Sequence, residues 1–130
     1  MANSPATSGL RVLVVVHDPD EASGLSRLLE SWGHEVHFAA TGQAGVEEAE
    51  QWRPNVILMD LRLPGALDGL AVARILRRKA ETSTASFIGF VEPSPSVDLS
   101  LEQSAFDGIL TKPIAPTALQ ELLARLVKPA

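Results

Sequence analysis

The sequence predicts an α/β fold, a doubly wound sandwich in which helices cover both faces of a five-stranded parallel sheet. Strand-like and helix-like segments alternate five times along the chain, as they do in consecutive strand–helix units. Three of the strand-like segments, at 10–16, 55–60 and 87–91, are nearly all apolar, which is typical of strands buried on both faces. The length of 130 residues fits one hydrophobic core, so we expect a single domain.

The first unit begins with an apolar, β-branched run at residues 10–16, which predicts a buried strand. A helix follows, because Asp18, Pro19 at the first helical position and Glu21 three residues after Asp18 form a start that is similar to a capping box. Leucines then recur at helical spacing until Gly33, a residue type that favours the left-handed position after a helix.

A short strand, a second helix and another buried strand come next. Val36 and Phe38 alternate with polar residues, which predicts a strand near an edge of the sheet. Thr41 predicts the N-cap of a helix that closes at Pro54. The apolar run at 55–60 predicts a strand that ends on a carboxylate.

The second half of the chain predicts a helix opened by Asp68 and two further strand–helix units. These are a strand at 87–91, a short helix at 96–105, a strand at 108–111 and a final helix at 116–127. Pro93 and Pro95 predict a stiff loop after the fourth strand, since proline fixes its own φ and keeps the preceding residue extended. We expect a solvated basic face on the third helix, made of Arg74, Arg77, Arg78 and Lys79.

The composition excludes several classes of function. The 11 Lys and Arg against 16 Asp and Glu give a formal net charge of −5, which argues against nucleic acid and anionic membranes as partners. Cysteine is absent, which excludes thiol catalysis, disulfides and zinc–thiolate sites. No apolar run is long enough to span a membrane, and the N-terminus lacks the features of a signal peptide. We expect a cytoplasmic protein with flexible tails at 1–9 and 128–130 and one domain at 10–127.

Functional side chains are expected where the strands end, because the loops after the carboxyl ends of parallel strands converge on one crevice. The candidates there are His17, Asp18, Asp60, Glu92 and Lys112. A carboxylate opposite a lysine can act as a phosphoryl-acceptor pair, in which the carboxylate oxygen is the nucleophile and the ammonium group neutralises charge on the phosphoryl oxygens.

Three segments make the chain recognisable, namely RVLVV near the start, VILMDLRLPGALDG in the middle and FDGILTKPI near the end. Over residues 10–126 the sequence resembles the receiver domain of bacterial two-component response regulators. The resemblance implies a flavodoxin-like fold that accepts phosphate from a histidine kinase. Asp60 would be the phosphorylated residue and a magnesium ligand, Lys112 would contact the phosphate, the bond before Pro113 would be cis, and the carbonyl of Arg62 would be the backbone ligand of magnesium.

The chain departs from the family pattern at several positions. Val16 and His17 stand where the family has two acidic residues, Val91 stands in place of Ser or Thr, and Ile109 replaces the aromatic switch residue. The loop at 60–69 is also one residue longer than the commonest pattern. Because the hydroxyl and the ring are both missing, we expect the chain to lack the usual two-state switch.

These departures predict weak or absent magnesium binding and weak or absent magnesium-dependent phosphorylation. Magnesium prefers carboxylate and other oxygen ligands, and Asp60 is the one carboxylate that the pattern retains. We expect Asp60 to form a tight, idle ion pair with Lys112, because no second acid adds negative charge nearby. The alternative is an active receiver that a histidine kinase phosphorylates on Asp60. Asp18 has two candidate roles, as helix cap or as metal ligand, and the cap is favoured.

The histidines and tryptophans are expected to be ordinary surface and packing residues. His17 is read as a solvent-facing loop residue, with a transition-metal site shared with Asp60 as the alternative. His34 and His37 are expected to be exposed strand residues. The two tryptophans, Trp32 and Trp52, end helices and are expected to pack.

We therefore expect a signalling module that acts through protein–protein contacts and is not an enzyme. Its partners would be a histidine kinase or another signalling protein, with the face at 96–127 as docking or homodimer surface by analogy with the family. No output domain fits after Val127, so output is expected in a partner. A phosphatase of the haloacid dehalogenase type is disfavoured because Arg62 stands where a second Asp is needed. A flavin carrier is disfavoured because His17 and Asp18 do not begin a phosphate-binding loop.

Overall fold

The computed structural model describes residues 9–93 and 105–126. Its strands are β1 (Arg11–Val15), β2 (Glu35–Ala39), β3 (Val56–Asp60), β4 (Ser86–Val91) and β5 (Gly108–Thr111). Its helices are α1 (Pro19–Ser31), α2 (Gly42–Trp52), α3 (Gly69–Arg77) and α4 (Pro116–Leu126). Most of the helix expected at 96–105 lies outside the described residues, as do Pro95, Val127 and most of both expected tails.

The five strands form one parallel sheet in the order β2-β1-β3-β4-β5. This arrangement confirms the predicted flavodoxin-like, doubly wound α/β fold. The register places Val12 beside Val56 and Asp60 beside Phe90. Because all the strands run in the same direction, their carboxyl ends lie together at one edge of the sheet.

Two apolar layers cover the sheet, because successive strand residues point to opposite faces. The first layer, which we call layer A, contains Leu13, Ile57 and Phe87 and packs against α2 and α3. The second, layer B, contains Val14 and Leu58 and packs against α1 and α4. All five of these side chains are fully buried, as expected for strands with helices on both sides.

The predicted helix starts are present. The Asp18 side chain accepts a hydrogen bond of 2.9 Å from the Asp20 backbone N–H at the start of α1. Thr41 caps α2 and Asp68 caps α3 in the same manner, each through a side-chain oxygen. Gly33 has φ of +92°, which confirms the left-handed residue predicted after α1.

The edge strand β2 differs from the prediction at one histidine. His37 is exposed, as expected, and its ring stacks on Trp52 with the centroids 3.6 Å apart. His34, however, is only 5% exposed, so its assignment to the surface was wrong. It lies in the turn before β2, where its Nδ1 accepts a hydrogen bond from the Leu10 backbone N–H.

The basic run on α3 is only partly solvated. Arg74 and Arg78 are exposed, but the guanidinium of Arg77 donates to the Ala105 carbonyl and to the Asp107 carboxylate. It also lies 4.3 Å from the centre of the Phe87 ring. Arg77 therefore links α3 to the residues before β5. None of the helices described here is long and apolar enough to cross a membrane.

Candidate functional site

The carboxyl ends of β3, β4 and β5 border a cavity of about 110 Å³. Asp60 ends β3, Val91 ends β4 and Lys112 follows β5. The bond between Lys112 and Pro113 is cis, as the family resemblance implied. The cavity is lined by Asp60, Leu61, Arg62, Phe90, Val91, Glu92 and Lys112.

Lys112 is the centre of the charged contacts in this site. Its Nζ lies 2.7 Å from Oδ1 of Asp60, 3.0 Å from Oε1 of Glu21 and 3.5 Å from Oε2 of Glu92. The Lys112 and Asp60 side chains are only 16% and 10% exposed, whereas that of Glu92 is 70% exposed. The pairing of Asp60 with Lys112 is therefore as predicted, but the expectation that no second acid lies nearby was wrong.

The charge state of Lys112 follows from these contacts. Burial opposes the charged ammonium group and lowers its pKa. The negative charges of Asp60 and Glu21, together with the hydrogen bond to Glu21, act in the opposite direction and outweigh burial, so the pKa of Lys112 is raised above its ordinary value. Lys112 is consequently a fixed positive charge at neutral pH.

Asp60 is the last residue of the central strand β3, and it is buried there. The residue is only 7% exposed, and within the described part of the chain its Oδ1 has no partner in hydrogen-bond geometry. The 2.7 Å contact with Lys112 is thus mainly electrostatic. Gly69 lets α3 begin close to this strand end, because a Cβ at Gly69 would lie 2.3 Å from the Asp60 carbonyl oxygen.

The positions where the family has acidic residues supply no carboxylate to the site. Val16 is fully buried in layer B, and His17 is exposed in the following loop. Asp18 caps α1 with its side chain. Val91 and Ile109 pack against layer A, so neither offers a polar group to the cavity.

The acidic side chains of the described site are not grouped for metal binding. Within residues 9–93 and 105–126, no three His, Asp or Glu side chains are grouped so that they could hold a metal ion. The carboxylate that ends β3 faces an ammonium group at 2.7 Å rather than a second carboxylate. The transition-metal alternative for His17 finds no support in this arrangement either.

Glu21 is the residue of this site that the sequence analysis assigned to another role. Its position three residues after Asp18 predicted a capping box, in which it would accept a hydrogen bond from the backbone of the cap residue. In the structure its carboxylate accepts a hydrogen bond from Lys112 instead. The sequence did contain a signal for this role. Glu21 lies in the first turn of the helix after β1, near the edge of the sheet where the carboxyl ends of all the strands lie.

Comparison with known proteins supports the resemblance to receiver domains that the sequence showed. The family model for the response regulator receiver domain matches residues 12–124. The chain belongs to the response regulator receiver family. The protein PilH of Pseudomonas aeruginosa is 39% identical over 106 residues, which are 80% of this chain and 86% of PilH.

Two further relatives are a DNA-binding response regulator and the receiver domain of a sensor histidine kinase. The DNA-binding response regulator MtrA of Mycolicibacterium smegmatis is 33% identical over 89% of this chain, which spans only 48% of MtrA. The receiver domain of the sensor histidine kinase PA1611 of Pseudomonas aeruginosa superposes with a TM-score of 0.83 at 30% identity, covering 92% of this chain and 98% of that one. Its crystal structure has a magnesium ion coordinated in the active-site cleft.

Proposed function

We propose that this chain is an atypical receiver module of two-component signalling whose magnesium-dependent phosphorylation is weak or absent. The observation that carries the proposal is the contact between Asp60 and Lys112 in a pocket whose family acid positions hold Val16 and His17. The acceptor carboxylate is kept in an ion pair, and the chain acts through protein–protein contacts rather than as an enzyme.

The energetic argument concerns the missing metal ligands. A divalent metal supplies several kcal/mol of charge stabilisation in phosphoryl transfer. Val91 adds a second loss, since it cannot donate the hydrogen bond of about 1.5–3 kcal/mol that a hydroxyl gives to a charged acceptor. Because each 1.36 kcal/mol in the barrier changes a rate tenfold, the two losses slow phosphorylation by several powers of ten.

The second candidate is an active receiver that a histidine kinase phosphorylates on Asp60. The specific support is that the acceptor carboxylate and its lysine are both retained at 2.7 Å. The magnesium-bound receiver of PA1611 also shares 30% sequence identity with this chain. Under this alternative, magnesium binds in spite of the replaced acids and Lys112 turns from Asp60 to the phosphoryl oxygens.

The two candidates are separated by treating the chain with acetyl phosphate and magnesium, then resolving the products on a phosphate-retention gel and by intact mass. Asp60→Asn gives the background of the assay. We expect the unaltered chain to match that background and calorimetry to detect no tight magnesium binding. In the double variant His17→Asp with Val91→Thr, which returns one acid and one hydroxyl, we expect acyl phosphate to form. Stoichiometric phosphorylation of Asp60 in the unaltered chain would overturn the proposal.

We further propose that partners dock through residues 96–127, of which α4 is a described part. The partner would be a histidine kinase or another signalling protein in the cytoplasm, and a second copy of the chain is an alternative occupant. Nucleic acid and membranes are disfavoured as partners by the net charge of −5. Ala124 is exposed on α4, so Ala124→Glu should weaken a homodimer, and sedimentation velocity measures this directly.

A further inference from the structure

Glu21 brings a second, well-shielded carboxylate to the lysine of the Asp60 site. Its Oε1 lies 3.0 Å from Nζ of Lys112, and the two side chains are only 26% and 16% exposed. Glu92 approaches the same Nζ, but at 3.5 Å and with 70% of its side chain exposed. Because water screens exposed charges strongly, Glu21 holds Lys112 more firmly than Glu92 does.

The position of Glu21 is fixed by the start of α1. Asp18 caps this helix and Pro19 occupies its first turn, so the helix begins at a defined place directly after β1. Glu21 lies in that first turn. From there its carboxylate accepts a hydrogen bond from Lys112, in the turn after β5. The contact therefore joins the first turn of α1 to Lys112.

An ammonium group has one positive charge and three N–H donors to share among its anionic neighbours. We infer that Glu21 acts as an internal anion, which occupies Lys112 and lowers the affinity of the pocket for phosphate and other small oxyanions. Glu21 is thus a positioning residue that acts through Lys112. The inference rests on the proposed function, since it states how the same pocket is kept idle.

The test uses inorganic phosphate as the probe and the Asp60→Asn chain as the background. Asp60 cannot be phosphorylated in this background, so the result does not depend on whether the unaltered chain is an active receiver. Phosphate affinity is measured by NMR titration in Asp60→Asn alone and after adding Glu21→Gln, Asp20→Asn or Glu92→Gln. Asp20→Asn is the matched control, because it removes one negative charge from the same turn of α1, at an exposed side chain.

We expect Glu21→Gln to tighten phosphate binding on the order of fivefold, the effect of freeing one ion-pair partner. Asp20→Asn should leave the affinity unchanged, Glu92→Gln should change it less than Glu21→Gln does, and Lys112→Met should abolish the gain from Glu21→Gln. Equal affinities in the Glu21→Gln and Asp20→Asn chains would overturn the inference. Glu21→Ala is a second variant at the same position, so that the comparison can still be made if Glu21→Gln fails to fold.

Discussion

At the scale of single residues, Lys112 is the side chain on which the site depends. Its Nζ contacts carboxylates from three different parts of the fold, and its own side chain is 16% exposed. A buried ion pair is often no better than an apolar pair, but removing one partner leaves the other charge buried and uncompensated. The cost of losing Lys112 should therefore exceed that of losing any one of the surrounding acids.

The first prediction is that Lys112→Met lowers the free energy of unfolding by about 2–3 kcal/mol at pH 7, because Asp60 is left charged and buried. Urea denaturation followed by circular dichroism measures the change. Glu92→Gln is the control and should change stability by less than about 0.5 kcal/mol, since its side chain is 70% exposed. A cost for Lys112→Met no larger than the control would contradict the ion-pair interpretation.

His34 provides a prediction for acidic pH. Burial lowers the pKa of His34 in the folded chain, so the unfolded chain binds a proton more readily. The neutral form therefore contributes stability above a pH of about 6.5, and this contribution is lost as the pH falls through the folded pKa.

We expect His34→Gln to reduce the loss of unfolding free energy between neutral and mildly acidic pH. The measurement is a series of urea titrations across that range, compared with the unaltered chain. An unchanged dependence in His34→Gln would show that other groups cause it.

At the scale of secondary-structure elements, local sequence determines where α1 and α3 begin, and both helices begin near the site. Asp18 caps α1 through one carboxylate oxygen, the role that the sequence favoured. α3 begins beside the end of β3, where only glycine fits against the Asp60 carbonyl. The second feature positions the loop after β3, which borders the cavity.

The third prediction separates the two candidate roles of Asp18. Asp18→Ala should lower the free energy of unfolding by about 1 kcal/mol, the usual cost of losing a cap. Asp18→Asn keeps a capping oxygen and removes the charge, so it should be close to the original chain in stability. Thermal unfolding measures both variants. If Asp18→Asn alters magnesium binding in calorimetry, the ligand role is supported instead.

The fourth prediction compares two glycines placed in helices. Gly69→Ala should destabilise the fold, because the new Cβ would lie 2.3 Å from backbone oxygen of Asp60. Gly24→Ala meets no atom within 4 Å in α1 and should raise stability by about 0.5–1 kcal/mol. Opposite signs in chemical denaturation would confirm the close approach of α3 to Asp60.

At the scale of the whole molecule, one sheet joins two apolar layers that each contain a tryptophan. Trp52 packs against layer A and Trp32 packs against layer B. Because the strands contribute alternate residues to both layers, neither layer can lose its packing while the other remains intact.

The fifth prediction follows from this shared sheet. The single-tryptophan variants Trp32→Phe and Trp52→Phe should each show one cooperative urea transition by fluorescence. In each variant this transition should coincide with the one measured by circular dichroism. Two separate midpoints within one variant would indicate that the layers unfold independently.

The sequence was sufficient for the fold but not for the full site. Alternating segments and local caps identified the nine described elements, because the residues that determine them are neighbours along the chain. Asp60 and Lys112 were identified by their places at the carboxyl ends of predicted strands, and the family motifs then supported them. Glu21 was missed because its partner is 91 residues away, and His34 was misplaced because its burial depends on contacts outside the local pattern.

The distance of 91 residues between Glu21 and Lys112 also bears on how the pocket comes into being. Contacts between remote parts of a chain carry a large loop-closure cost and form only when intervening structure has brought their ends together. During synthesis, α1, β3 and Asp60 leave the ribosome well before Lys112 does. A nascent or truncated chain that ends before β5 therefore presents Asp60 without its counter-charge, and this aspartate gains its positively charged neighbour only when the last strand is in place.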